Sequence, residues 1–158
     1  MKSLLLNLTI ACIWLFLSTE PSVSSFFIGF VLGFVLLALF RPIFDSSDYV
    51  RRCFGFVQFL LMFLREFVLA NFMVAKAVLF QPRESFHPNF ITYDVTGLRP
   101  FEILLLSYCI SLTPGTTTID VSEDFNTLVI HALDADSPDQ IRQSIDERLK
   151  AAILKFTR

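Results

Sequence analysis

The sequence predicts a membrane-anchored α+β protein, in which an N-terminal helical hairpin and an amphipathic or membrane helix precede a small β-α-β-β-α cytoplasmic domain. Apolar residues make up 54 % of the 158 residues and charged residues only 18 %, whereas soluble domains carry roughly 25 % charged residues. The apolar excess lies at one end, since fourteen of the nineteen Phe residues fall within residues 1–80. We therefore predict a membrane-embedded helical region at 1–81 and a cytoplasmic α+β domain at 82–158.

The distribution of charge argues against a nucleic-acid-binding protein, and the spacing of the cysteines argues against a disulfide-framework protein. Residues 1–81 carry six basic and four acidic residues, a net charge of +2, whereas residues 82–158 carry seven basic and eleven acidic residues, a net charge of −4. No basic stripe is present to neutralise a row of phosphates, so a nucleic-acid partner is not expected. Cys12, Cys53 and Cys109 are far apart in sequence and do not indicate a disulfide framework.

Two apolar segments joined by a short polar link predict the hairpin. A helix over Leu4–Leu17 is about 21 Å long and one over Val23–Phe40 about 27 Å, compared with a hydrocarbon core of about 30 Å. The link carries no Lys or Arg, whereas Lys2 and Arg41 flank the pair. The positive-inside rule therefore places both ends of the hairpin in the cytoplasm.

Gly29 and Gly33 form a G-x-x-x-G pair within the second apolar segment. Such a pair allows two helices to approach closely. In a Phe-rich helix, glycines also make room for neighbouring rings, so both interpretations stay open here.

The third apolar segment, Cys53–Phe80, is interrupted by polar residues. Gln58, Arg65 and Lys76 fall within about 20° of one another on a helix, and Glu66 lies beside them. In one interpretation the helix spans the membrane and buries Arg65 and Glu66 in a complex, where ionisable residues indicate function. In the other it lies at the cytoplasmic interface, with its charged stripe toward headgroups or a soluble domain. The surrounding basic residues favour the second.

Strand and helix patterns alternate in the second half of the chain. The predicted elements are a strand at 90–95, a helix at 101–112, strands at 117–121 and 127–133, and an amphipathic helix from 138 to 156. Ser137 is a favourable N-cap for that last helix, with Pro138 at its first position and Gln140 completing a capping box. The first two strands are expected to be parallel because a helix connects them. The helix at 101–112 is apolar nearly all round, so we expect it to be covered on most sides.

The helix at 101–112 is predicted to end at Thr113, Pro114, Gly115 and Thr116. Proline followed by glycine suits the central positions of a type II turn, in which the glycine adopts a positive φ. A plain helix-to-strand turn is the favoured interpretation. Presentation of backbone N–H groups to an anion is the alternative.

The sequence contains no recognisable catalytic or metal-binding constellation. P-loop, dinucleotide, nucleophile-elbow and Cys-x-x-Cys motifs are all absent. His131 ends a predicted strand near Asp134 and Asp136, but His87, the other histidine, precedes a proline in the linker and does not supply a second ligand. We interpret His131 as a hydrogen-bonded structural residue. No catalytic residue, metal ligand or cofactor is predicted, and an enzyme is not expected.

Several motifs resemble one known family. Ser-Leu-Thr-Pro-Gly-Thr at 111–116, then a strand, then Ile-His-Ala-Leu-Asp at 130–134 resemble the E subunit of the multisubunit Na⁺/H⁺ antiporters, the Mrp, Mnh or Pha family. In the first half, Trp-Leu-Phe-Leu-Ser at 14–18, the glycine-spaced stretch at 26–33 and Arg-Glu-Phe-Val-Leu-Ala-Asn at 65–71 agree with it. The resemblance covers essentially the whole chain. It marks Thr113–Thr116 and His131 as family motif residues.

The resemblance implies a hetero-oligomer of membrane subunits in the bacterial inner membrane that exchanges cytoplasmic Na⁺ for external H⁺. It implies that two large subunits move the ions and that this chain is an accessory structural subunit, with its C-terminal domain in the cytoplasm. The expected partners are the other antiporter subunits and the lipid bilayer. No cofactor is implied.

One alternative function stays open, a stand-alone membrane-tethered sensor whose α+β domain binds a small molecule or an ion. It requires a pocket with convergent polar groups, for which the sequence offers only the 113–116 turn and His131. Arg65, Glu66 and Lys76 are the ionisable residues within the apolar segments. We predict that Arg65 and Glu66 support subunit packing, each with its own partner, and that neither carries a translocated proton.

Overall fold

The computed structural model describes residues 2–80, 82, 87–133 and 137–158. It consists of two compact units, Met1–Phe54 and Gly55–Arg158. The N-terminal unit contains α1 (Lys2–Leu17), α2 (Val23–Leu39), α3 (Arg41–Phe44) and the first turns of α4 (Ser47–Phe80). The rest of α4 belongs to the C-terminal unit, so the boundary between the packing units falls within this helix of 34 residues.

The helices α1 and α2 run antiparallel and are in close contact through the two glycines. A Cβ atom on Gly29 would lie 2.7 Å from the Cβ of Trp14, and one on Gly33 would overlap Oδ1 of Asn7. Ala11, which also faces Gly29 with its backbone, is fully buried. Of the two interpretations of the G-x-x-x-G pair, these contacts support the close approach of the helices.

Buried polar contacts hold the N-terminal unit together. Asn7 is fully buried, and its Nδ2 donates to the hydroxyl of Tyr49 at 2.7 Å. Its Oδ1 has no hydrogen-bond partner among the described residues. The buried hydroxyl of Ser46 donates to the carbonyl of Leu37 at 2.6 Å, which satisfies one of the carbonyls left open at the end of α2.

By length and composition, α4 is the one described helix able to cross a membrane, over Ser47–Ala77. The helices α1, α2 and α5 (Pro100–Leu112) are shorter apolar helices. Because this finding concerns only length and composition, both interpretations of Cys53–Phe80, a helix that spans the membrane and a helix that lies at its interface, stay predictions.

The C-terminal unit adds a three-stranded sheet and further helices to the second part of α4. In chain order these are β1 (Asn89–Asp94), α5, β2 (Thr116–Val121), β3 (Thr127–Ala132), α6 (Pro138–Ser144), a π-helical segment (Ile145–Lys150) and α7 (Ala151–Thr157). The strands lie in the order β1-β3-β2, and β3 pairs antiparallel with both neighbours. The first two strands therefore run in the same direction but flank β3 and do not pair with each other. A β-bulge interrupts β2 between Thr118 and Asp120.

One face of the sheet forms the hydrophobic core. Ile91 and Tyr93 from β1 and Leu128 and Ile130 from β3 are all buried there. The helical side of this core consists of Ile103, Leu106, Cys109, Ile110, Ile145, Leu149 and Ile153, together with Phe59 of α4. Burial of each large aliphatic side chain contributes about 1.5–3 kcal/mol.

One face of α4 packs on this core. Gly55 allows the close approach, because a Cβ there would lie 2.9 Å from the carbonyl oxygen of Lys155 in α7. One turn further along, the ring of Phe59 lies 5.1 Å from the ring of Phe156. The other face of this part of α4 exposes large apolar side chains: Phe56, Val57, Leu60, Leu61, Leu64, Phe67, Val68 and Phe72.

The amphipathic helix predicted for 138–156 is helical over its whole length, but its middle part is π-helical and not α-helical. The apolar residues Ile141, Ile145, Leu149 and Ile153 are four residues apart. In an α-helix each such step rotates a side chain by about 40°. The wider π turn, with its i→i+5 hydrogen bonds, reduces this drift and keeps these residues facing the sheet.

The predicted capping box at Ser137 is wrong. The Ser137 side chain makes no capping hydrogen bond, and its ψ is 77°. At the start of α2, by contrast, Ser22 has a ψ of 165° and accepts a hydrogen bond from the N–H of Ser25. An extended ψ directs the serine oxygen toward the first free amides of a helix, and Ser137 lacks it. Pro138 does occupy the first position of α6, as predicted.

Candidate interaction site

Glu66 is a nearly buried carboxylate between two arginines of the C-terminal unit. Its side chain is 10 % exposed, and Oε1 lies 3.2 Å from Nη1 of Arg65 and 3.8 Å from Nη1 of Arg148. Arg148 belongs to the π-helical segment, so this pair connects α4 to the C-terminal helices. The two guanidinium groups therefore flank the carboxylate where α4 packs on the domain.

Arg65 and Glu66 were predicted to support subunit packing with a separate partner each, and this stays a prediction. Within the chain the two side chains contact each other. Adjacent residues point about 100° apart on a helix, but the long arginine side chain curves back and donates to the neighbouring carboxylate. Glu66 has Arg148 as a further partner. Lys76, also predicted as an interface residue, is exposed.

A cavity of about 450 Å³ lies beside Glu66. Its walls come from α4, the 113–116 turn, α6 and the π-helical segment. Its polar lining consists of Glu66, Thr113, Thr116, Ser137, Gln140, Ser144 and Arg148. The volume is within the range of small-molecule sites.

The 113–116 turn caps the C-terminal end of α5. The hydroxyls of Thr113 and Thr116 lie 2.7 and 2.9 Å from the carbonyl oxygen of Ile110 and 2.6 Å from each other. Gly115 has a φ of +79°, which confirms the predicted positive φ, and its carbonyl accepts from the N–H of Leu133 at 2.7 Å. The threonine hydroxyls donate to a carbonyl that has no hydrogen-bond partner within the helix. These contacts support the interpretation of 113–116 as a structural turn between helix and strand.

His131 lies in the central strand β3, opposite Phe90 of β1 and Thr117 of β2. Its half-buried ring is 5.3 Å from the ring of Phe90 in an edge-to-face arrangement. Asp134 and Asp136, its predicted acidic neighbours, lie outside the described residues. In the described ranges, no group of three or more His, Cys, Asp or Glu side chains is placed to hold a metal ion.

A larger cleft of about 830 Å³ lies on the other side of the turn. One wall is the later part of α4, with Phe67, Ala70 and Val74, and the other is the 113–116 turn with His131. The turn thus separates two cavities. His131 and the turn, which are far apart in sequence, come together at this cleft.

A buried glutamate in α5 was not singled out by the sequence. Glu102 is 1 % exposed and accepts hydrogen bonds from the backbone N–H of Arg99 at 2.8 Å, the hydroxyl of Thr157 at 2.8 Å and the guanidinium of Arg158 at 2.9 Å. The Arg158 hydrogen bond, ahead of the opposing effect of burial, lowers the pKa of Glu102 to about 2. An acid at the third helical position, after Pro100 at the first, is a known capping signal and could have predicted the contact of Glu102 with the N–H of Arg99. No local signal predicts the contact of Glu102 with Arg158.

A second polar cluster joins β1 to the π-helical segment. The buried Tyr93 donates its hydroxyl to Asp146 at 2.7 Å, and Lys150 lies 3.1 Å from the same carboxylate. Burial, with the neighbouring carboxylate, raises the pKa of Tyr93 far above its usual range.

Comparison with known proteins decides the family. Residues 7–156 match the model of the MNHE family, described as a Na⁺/H⁺ ion antiporter subunit. The chain is 34 % identical over 155 residues to the E subunit of the Na⁺/H⁺ antiporter of Bacillus subtilis (strain 168), covering 98 % of both chains. It is 33 % identical, with the same coverage, to the corresponding antiporter subunit of Alkalihalophilus pseudofirmus. The chain belongs to the MNHE family of Na⁺/H⁺ antiporter subunits.

Solved structures agree with membership of the MNHE family. A chain of the Mrp complex from Dietzia sp. DQ12-45-1b matches with a TM-score of 0.52 and 26 % identity, over 65 % of this chain and 96 % of that one. A chain of the archaeal membrane-bound sulfane sulfur reductase, a respiratory membrane complex, shares the fold, with a TM-score of 0.53 over 96 % of this chain and 98 % of that one. The resemblance seen in the sequence motifs is confirmed. The roles of the motif and polar residues in this MNHE family member stay predictions.

Proposed function

We propose that this chain is an accessory structural subunit of a multisubunit Na⁺/H⁺ antiporter complex of the Mrp type, and that it contributes to assembly and stability without conducting ions. The observation that carries the proposal is the pairing of Glu66 with two arginines of the same chain. Its carboxylate contacts Arg65 and Arg148, so its charge is already used in packing α4 on the domain.

A proton or Na⁺ path requires more ionisable groups than these helices carry. Proton relays use chains of Asp, Glu or His across the membrane. Glu66 is the only carboxylate between Asp48 and Glu84, and α1 and α2 contain none. A chain with so few apolar helices also lacks the repeated helix bundles that alternating access uses.

The exposed apolar surfaces support a partner-dependent role. Phe16 in α1, Phe27 in α2 and Phe72 in α4 are 83, 61 and 70 % exposed. Apolar area of this extent requires lipid or partner helices. We infer that the helical region at 1–81 is embedded in the bacterial inner membrane, with the hairpin inserted and α4 at the cytoplasmic interface. The domain at 82–158 then lies in the cytoplasm, and the partners are lipid and the other antiporter subunits.

The test is Glu66→Gln, which keeps the shape of the side chain and removes its charge. Na⁺/H⁺ exchange is measured in everted membrane vesicles and divided by the amount of assembled complex, with Glu123→Gln, an exposed acid of the β2–β3 turn, as the control. We expect near-normal exchange per complex and fewer complexes. A fully assembled Glu66→Gln complex that exchanges no ions refutes the proposal and places Glu66 on the ion path.

A second candidate function is the membrane-tethered sensor, which the 450 Å³ cavity beside Glu66 favours. Its lining combines apolar residues with hydroxyls, an amide and an ion pair, the mixture typical of ligand sites. Purification of the chain as a discrete monomer with a bound small molecule supports this alternative. Recovery only with the antiporter subunits argues against it.

A further inference from the structure

The outward face of α5 is apolar along its whole length. Phe101, Leu104, Tyr108 and Leu112 form a stripe at helical spacing, and their exposed fractions are 60, 51, 61 and 38 %. The only charged residue of α5, Glu102, lies on the opposite face and is buried. A helix on the surface of a soluble domain normally carries its charges outward, and α5 has the reverse arrangement.

The polar groups at the margin of this stripe are already satisfied within the chain. The hydroxyl of Ser107 donates to the carbonyl of Leu104 at 2.8 Å. The hydroxyl of Ser111 donates to the carbonyl of Ser107 at 2.9 Å and accepts from the backbone N–H of Thr118 at 3.1 Å. Neither hydroxyl depends on water for a hydrogen bond. The face is therefore suited to a dry contact, where an unpaired polar group costs free energy.

The stripe is continuous with a second apolar surface. Leu112, at its C-terminal end, lines the 830 Å³ cleft whose far wall is α4. In that wall, Ala70 and Ala75 are small, and Phe67 and Val74 are exposed apolar residues. Small residues allow a helix backbone to approach closely, so the cleft extends the stripe with a surface that suits a helix.

Charge argues against lipid headgroups as the occupant of the stripe. Helices that lie on anionic membranes carry Lys or Arg along the margin of the apolar face. Within α5 the polar residues at the margin are serines, and the side that faces β2 includes Asp120, which lines a small cavity with Tyr108 and Ser111. The exposed Arg99 lies at the N-cap, at one end of the stripe. A single basic residue at one end, without Lys or Arg along the length of α5, is not the pattern of a helix that lies on an anionic surface.

We propose that the stripe Phe101, Leu104, Tyr108 and Leu112 is the docking surface for an apolar helix of another antiporter subunit. The inference rests on the accessory-subunit role proposed above and assigns a surface to it. Leu104 and Tyr108 lie furthest from the ends of the stripe. Tyr108 is expected to contribute most, because tyrosine is enriched among the few residues near the centre of an interface that carry most of its energy.

The test is photo-crosslinking in the assembled complex. A benzophenone amino acid replaces Tyr108, and in a matched control it replaces Phe125, which has a similar exposed fraction of 58 % and lies in the β2–β3 turn. Membranes are irradiated, the complex is purified through another subunit, and the adducts are identified by mass spectrometry. We expect the Tyr108 probe to form an adduct with a peptide from an apolar helix of another subunit, and the Phe125 probe to form none there.

A second measurement addresses the energetic contribution of the stripe. Leu104→Ser combined with Tyr108→Ser is expected to reduce the co-purifying amount of this chain by about tenfold or more, since the few residues near the centre of an interface carry most of its energy, while its total amount in the membrane is unchanged. Phe125→Ser is expected to change neither.

The outcomes separate the two proposals. The docking surface is overturned if, in an intact complex, the Tyr108 probe forms adducts with lipid or with a second copy of this chain, or forms no adduct. The accessory role would still stand in each of these cases. Failure of the unmodified chain to co-purify with any antiporter subunit overturns both.

Discussion

Glu102 and Arg158 form an ion pair across 56 residues of sequence, with Nη2 of the arginine 2.9 Å from Oε2 of the glutamate. The same nitrogen donates to the carbonyl of Gly97 at 2.8 Å. Arg158 therefore fixes the end of α7 to the start of α5 and to the turn that precedes it. Because Glu102 is buried, its carboxylate depends on these donors to remain charged.

This pair predicts a loss of stability in acid. The folded-state pKa of Glu102 is about 2, below its ordinary value of 4.5, so its contribution is fully present above pH 4.5 and is lost as the pH falls toward 2. We expect Glu102→Gln to flatten the dependence of the thermal unfolding midpoint on pH within this window. Arg158→Ala is expected to lower the free energy of unfolding at neutral pH, because it leaves the buried carboxylate of Glu102 without its charged donor.

The matched control is Asp139→Asn, which removes the charge of an acid whose side chain is 96 % exposed and paired with Arg142. Exposed pairs contribute less than about 1 kcal/mol, so its pH profile should follow the wild type. Purified protein in detergent, monitored by circular dichroism between pH 5 and pH 2, supplies the measurement. An unaltered slope in Glu102→Gln contradicts the assignment.

Local patterns were sufficient to predict most elements of the C-terminal domain. The strands at 90–95, 117–121 and 127–133 lie within one residue of β1, β2 and β3, because β-branched runs bounded by turn residues carry a local signal. The positive φ of Gly115 was likewise predictable from the Pro-Gly pair.

The features that the sequence did not predict depend on tertiary contacts. Folding brings Arg158 close to Glu102 and Tyr49 close to Asn7. The residues of each pair are far apart in sequence, and no sequence motif relates their positions. The π-helical segment arises where the four-residue apolar spacing of Ile141 to Ile153 meets the sheet, and helical periodicity alone gives one continuous helix. At the candidate site, Glu66 and the 113–116 turn could be identified as candidate residues from the sequence. The contact between Glu66 and Arg148 could not be predicted, because it depends on how α4 packs on the C-terminal helices.

Gly115→Val tests whether the 113–116 turn serves folding and assembly. A Cβ at this position has room, since the closest atom is Leu133 Cβ at 3.6 Å, so the cost is in the backbone alone. A β-branched residue at a φ of +79° costs about 1–2 kcal/mol. We expect less assembled complex and normal Na⁺/H⁺ exchange per complex, measured by co-purification and vesicle transport.

Gly115→Asn is the matched control, because asparagine tolerates the left-handed region better than other non-glycine residues. It should assemble close to the wild-type level. Normal assembly of Gly115→Val with slow exchange would show that the turn acts in transport, contrary to the proposal.

Gly33→Ala tests the contact between α1 and α2. The added Cβ overlaps Oδ1 of Asn7, and Asn7 is fully buried, so the two helices must separate or Asn7 must move. We expect reduced accumulation and increased protease sensitivity of the N-terminal unit. Asn7→Ala alone loses the hydrogen bond to Tyr49, a cost of about 1 kcal/mol.

The double variant distinguishes direct overlap from a general weakening of the hairpin. When Asn7→Ala accompanies Gly33→Ala, the overlapping atom is gone, so the double variant should be more stable than the sum of the two single effects indicates. Residues in contact show such coupling, whereas distant ones add independently. Strict additivity would exclude the contact.

The last prediction concerns topology. Lys2 and Arg41 flank the hairpin, and the link between its helices, Ser18–Ser22, carries no basic residue. The positive-inside rule then places both ends of the hairpin in the cytoplasm. The domain that follows is in the cytoplasm as well when α4 lies at the membrane interface and does not cross, the interpretation favoured by the basic residues around it. Green fluorescent protein fused after Arg158 should fluoresce, and alkaline phosphatase fused there should be inactive. A phosphatase inserted after Ser22 should show the opposite result, because the same rule places the link outside. Periplasmic phosphatase activity after Arg158 would reverse the proposed orientation and place the α5 stripe on the outer side of the membrane.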